Sequence, residues 1–111
     1  MKTRYTLILI GILMTSCLQE ELDPENYDFR GNWDSSKYAI GIYSNGSGFL
    51  DIRNRGRLEG RVKIKGDKLI FTSENEDDEI GYKRLDIDQR PTTDSNGVTY
   101  MILEGHRLER L

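Results

Sequence analysis

The sequence predicts an all-β fold, an antiparallel meander of about seven short strands closed or nearly closed as a small barrel. Three observations carry that expectation. Apolar residues recur at every second position in several short runs, and glycine-containing turn dipeptides fall between those runs. Beyond the N-terminal leader, no window keeps the 3.6-residue period of a sustained helix.

The elements follow in order. Tyr38, Ile40 and Ile42 alternate with the small Ala39 and Gly41, and Asn45-Gly46 then forms a hairpin dipeptide because both residues tolerate positive φ. The next run, residues 49–53, turns Leu50 and Ile52 inward, and Asn54-Arg55-Gly56 reverses the chain. Leu58, Gly60, Val62 and Ile64 then share one face, with Arg57, Glu59, Arg61, Lys63 and Lys65 on the other. Gly66-Asp67 leads into a strand over residues 68–72, and a polar loop over 73–79 leads into another over 80–87. The inward face of that strand shifts between Tyr82 and Leu85, which predicts a bulge near Lys83 and Arg84. A second loop, residues 88–97, carries Pro91 and Asn96-Gly97. A final hairpin joins residues 98–103 to 106–110 through Glu104-Gly105.

The leader predicts location. Lys2 and Arg4 precede an apolar stretch from Leu7 to Met14, followed by the small Thr15 and Ser16 and then Cys17. That is the layout of a secretory signal peptide. A retained membrane helix is the rival reading, but the uncharged span from Tyr5 to Gln19 falls short of the roughly 20 apolar residues a bilayer requires. The run Leu13-Met14-Thr15-Ser16-Cys17 resembles the bacterial lipobox, with Met14 where leucine is usual. The resemblance implies lipidation of Cys17, the chain's single cysteine, and cleavage before it. A diacylglycerol thioether with an added N-acyl chain would hold the membrane firmly, since one acyl chain alone binds reversibly.

Leu18 stands where some Gram-negative lipoproteins carry an Asp for inner-membrane retention, which points to the outer membrane. Glu20 and Glu21 resemble the acidic surface-export signal of some lineages, so either face of that membrane is open. The expected organisation is a signal peptide over 1–16, a lipidated cysteine and flexible acidic tether over 17–28, and one β-domain over 29–111.

Charge narrows the partners. Removal of Lys2 and Arg4 with the leader deepens the formal net charge from −3 to −5. An acidic extracytoplasmic chain is not built to hold nucleic acid, which leaves an unidentified protein or glycan as partner beside the membrane itself.

The segment Phe29-Arg30-Gly31-Asn32-Trp33 sets a Gly-x-Trp at the start of the first strand. It resembles the lipocalin and lipocalin-like group of up-and-down barrels. The resemblance implies that Trp33 plugs one end and that a basic side chain of the last strand, Arg107 or Arg110, covers its ring. The further motifs of classical lipocalins are absent from the middle of the chain. A barrel this small fills its interior with side chains, so the family's usual ligand binding does not carry over.

No residue set predicts catalysis, a metal or a cofactor. His106 is the only histidine and follows a turn. Ser35, Ser36, Ser44 and Ser47 lack a Gly-x-Ser-x-Gly setting, and nothing singles out two carboxylates as an acid–base pair. The acidic run over residues 74–79 lacks the ligand spacing of a calcium loop and reads as a solvated tip. Arg53, Arg55, Arg57, Arg61, Lys63 and Lys65 form a basic stripe on two adjacent strands and their turn. That stripe is either an ordinary solvated face or a patch for lipid phosphate or acidic polysaccharide.

These readings favour a non-enzymatic binding or structural accessory at the outer membrane. A small-ligand binder using the barrel interior and an extracytoplasmic inhibitor or immunity-type protein are the alternatives.

Overall fold

The computed structural model describes residues 21–111. The expected signal peptide, Cys17 and the first part of the tether lie outside the described residues. A short 3₁₀ helix, Pro24–Phe29, precedes eight strands: β1 (Gly31–Asp34), β2 (Tyr38–Ile42), β3 (Ser47–Ile52), β4 (Gly56–Lys65), β5 (Lys68–Ser73), β6 (Tyr82–Thr93), β7 (Thr99–Leu103) and β8 (His106–Arg110). Each strand pairs antiparallel with its successor, and β8 returns to β1 to close the barrel. That last seam is short: Trp33 lies opposite Arg110 and Asp34 opposite Glu109, extended by the Leu111 N–H to the Asn32 carbonyl at 2.9 Å.

The all-β barrel is therefore as expected, with eight strands rather than about seven. The additional strand is β1, only four residues long, too brief for alternation to show. β6 differs more. It runs through the expected 88–97 loop as far as Thr93, leaving only a tight turn before β7. The bulge also moves: β6 pairs regularly with β5 from Tyr82 to Asp86, whereas its register with β7 slips between Ile87 and Gln89 and again between Gln89 and Thr92. Pro91 sits inside that irregular stretch, where a missing N–H costs no regular ladder bond.

Glycine sets the curvature on the opposite wall. Gly48 of β3 lies opposite Gly60 of β4, and a Cβ on Gly60 would overlap the Thr72 carbonyl. The backbones approach there more closely than any side chain permits, which lets the sheet coil into a small barrel.

Ile40, Ile42, Leu50, Leu58, Leu69, Phe71, Leu85, Met101, Leu103 and Leu108 are wholly buried and fill the barrel. Below them Phe29 and Leu22 extend the same core. Among the described residues the folded unit thus reaches back to Leu22, ahead of the expected boundary at residue 29. Leu22 is 5% exposed and its N–H donates to the Ser44 carbonyl at 3.0 Å. Asn26 is also buried, its Oδ1 accepting from Arg90 at 2.9 Å. The acidic composition of this segment hides one apolar anchor and one satisfied amide from any periodicity argument.

Candidate functional site: a sealed end and an open mouth

Up-and-down topology sends alternate connections to opposite ends of the barrel. The 3₁₀ helix and the turns before β3, β5 and β7 lie at one end. The connections before β2, β4, β6 and β8 lie at the other.

The first end is sealed. The Trp33 side chain is 1% exposed and its Nε1–H donates to the Phe29 carbonyl at 2.9 Å, so the indole closes the barrel with no polar group stranded. Strand alternation decides which arginine covers it. Leu108 is buried, so Arg110 shares its inward face while Arg107 points outward. The Arg110 guanidinium lies 4.7 Å from the indole centroid and donates to the Asp28 carbonyl at 2.6 Å. Arg107 instead stacks on Tyr100 at 3.8 Å and pairs with Asp94 at 2.8 Å. Asp94 is held below the ordinary carboxylate range by the Val98 N–H first and by Arg107 second. Arg90 completes this end, 4.8 Å over the Phe29 ring.

The basic stripe is divided rather than continuous. Arg53 pairs with Asp34 at 3.2 Å. Arg57 lies 4.4 Å over Phe49 and pairs with Glu59 at 2.9 Å and Asp51 at 3.7 Å. Arg61 donates to the Asn45 carbonyl at 3.0 Å. Lys63 and Lys65 are exposed on the lower half of β4, and Lys63 lines a small cleft with Glu21, Leu22 and Asp23. Arg55 leaves the stripe altogether and lines the mouth. Arg57 and Arg53 therefore pair with carboxylates of their own chain, and Arg55 lies apart from the other five at the mouth.

One carboxylate of the acidic run is structural. Asp78 accepts from the Glu59 N–H at 2.9 Å and from the Ser73 hydroxyl at 2.7 Å, which holds the loop against β4. Those two bonds, the hydroxyl's first, depress its carboxyl below the ordinary range. Among the described residues, no group of three or more His, Cys, Asp and Glu converges as a metal site. Ser35 is used as a turn residue, its Oγ accepting from the Tyr38 N–H at 2.9 Å.

The second end carries a surface cleft. Lys37, Tyr38, Ile52, Arg55, Glu79, Ile80, Tyr82 and Lys83 line a cleft of about 420 Å³ above the filled core. Tyr38 forms part of its floor and is packed edge-on against His106, with centroids 5.5 Å apart and planes at 87°. Burial, and then the Glu104 carboxylate, push the Tyr38 phenol above its ordinary value. No motif announced this cleft, because its lining comes from three separate connections and the strand ends beside them.

Compared with protein-family models, curated proteins and solved structures, the chain matches none.

Proposed function

We propose that this chain is a lipid-anchored accessory protein of a bacterial outer membrane, a small lipocalin-like barrel that binds through its surface and performs no catalysis. The observation that carries the reading is the filled interior, sealed at the end from which the chain leaves toward Cys17. A packed core of aliphatic and aromatic side chains has no calyx for an internal ligand.

The short connection to the anchor supports it. Leu22 is fixed to the domain, and even a fully extended chain from Cys17 to Leu22 reaches only about 18 Å. The sealed end would then stay close to the bilayer and the open mouth would face away from it. Membrane fractionation tests the anchor. The wild-type chain should pellet with outer membranes, and Cys17→Ala should release it to the soluble fraction. Unchanged pelleting of the variant would overturn the anchored reading.

A further inference from the structure

The cleft beside Tyr38 has a lining opposite in charge to the chain as a whole. The chain without its leader is net acidic, yet the ionisable groups lining the cleft beside Tyr38 and Tyr82 are Lys37, Arg55 and Lys83 against a single carboxylate, Glu79. Among the described residues, none of these three cations makes an ion pair, whereas Arg53, Arg57, Arg90 and Arg107 each do. Lys37 lies 5.5 Å over the Tyr38 ring.

Lys83 is the most telling of the three. Leu85 and Ile87 on β6 are buried, so alternation places Lys83 on the same inward face, at the lip of the barrel and half-buried. Its neighbour Tyr82 takes the outward position and is 58% exposed. An apolar core would be better served by the opposite order, with Tyr82 inward and Lys83 in solvent. The observed order gives the rim a cation aimed over the cleft and an uncovered aromatic face beside it.

The geometry points to a binding site for an acidic saccharide, with its carboxylates taken by Arg55, Lys83 and Lys37 and a sugar face laid on Tyr82. A guanidinium and two ammonium groups suit carboxylates through charge-assisted hydrogen bonds, with Arg able to engage both oxygens. An amphipathic tyrosine offers an apolar plane with a polar tip, which matches a sugar ring. The cleft is shallow over a closed core, and so takes part of a longer chain rather than an enclosed molecule. An acidic peptide is less well served: extended peptides are commonly held by strand addition, and a closed barrel offers no free edge. The site goes beyond the proposed anchoring and does not depend on it.

Calorimetric titration of the full chain in detergent, at low salt, tests the site with trigalacturonate as probe. Its fully methyl-esterified form and triglutamate, which carries the same net charge, serve as comparison ligands. The acid should bind, and the ester should bind about ten-fold more weakly or worse, because it lacks the negative charge. Arg55→Glu and Lys83→Glu should each weaken binding by about ten-fold, and added salt should do the same progressively. Tyr82→Ala should weaken it several-fold. Lys65→Glu, at the other end of β4, should leave it within about two-fold. Equal binding of ester and acid, triglutamate binding as tightly as the saccharide, or an equal loss in Lys65→Glu would each overturn the assignment. So would absence of binding at millimolar probe. Arg55, Tyr82 and Lys83 are rim residues, and an unchanged melting curve for each variant separates lost binding from lost folding.

Discussion

The two ends of this barrel use the same residue types to opposite effect. At the sealed end, Trp33 is buried, its N–H is satisfied, and Arg110 and Arg90 lie over aromatic rings while bonding the chain's own oxygen atoms. At the mouth, Tyr82 is exposed and Lys37, Arg55 and Lys83 line a cleft without carboxylate partners among the described residues. Aromatic–cation pairs stabilise the fold where both partners belong to the chain. Where one partner is missing, the same chemistry is available to a ligand. Mutation should therefore cost stability at one end and binding at the other.

The largest effect expected is at Trp33. Trp33→Ala should destabilise the protein by about 3–5 kcal/mol in urea unfolding, because it removes the plug and strands the Phe29 carbonyl. Leu22→Ala should cost about 2 kcal/mol, the lower end for a buried leucine because it sits at the rim of the core. A change near zero there would return residues 22–28 to the status of a tether. Arg110→Gln should cost about 1 kcal/mol, whereas Arg107→Gln should cost less, since Arg107 lies on the outer surface.

Acid should act on both ends. Asp78 and Asp94 have folded-state values below the ordinary carboxylate value of about 3.9. Their contribution is complete above that value and is lost as pH falls through the lower folded values. The melting temperature should therefore drop below about pH 4, and Asp78→Asn with Asp94→Asn should flatten the drop. The smallest effect is expected at the mouth, where Tyr82→Ala should change stability by no more than about 0.5 kcal/mol. A larger loss would mean that the exposed ring supports the fold and is not held open for a partner.

Much of this was legible in the sequence. Asn45-Gly46, Gly66-Asp67 and Glu104-Gly105 mark turns, and strict alternation in residues 58–64 locates β4. Even the choice of Arg110 over Arg107 was available by counting from Leu108, since residues two apart share a face. Two things were not legible. The 3₁₀ helix contributes few anchors to the core, too few for any period to emerge from an acidic segment.

The other was read in the wrong sense. The shift of pattern between Tyr82 and Leu85 suggested a bulge, on the assumption that the tyrosine faces inward. In the structure the strand is regular there and the polarity itself is inverted, with Lys83 inward and Tyr82 outward. A conflict between periodicity and residue type marked the mouth of the barrel, not a defect in pairing.

Amide chemical-shift mapping during titration with trigalacturonate tests the division of labour most directly. The account predicts perturbations confined to residues 37–38, 52–55 and 79–83, with the amides around Trp33, Arg110 and the 3₁₀ helix unmoved. Perturbations centred on the sealed end or on Lys63 and Lys65 would contradict it, as would a spectrum that does not change.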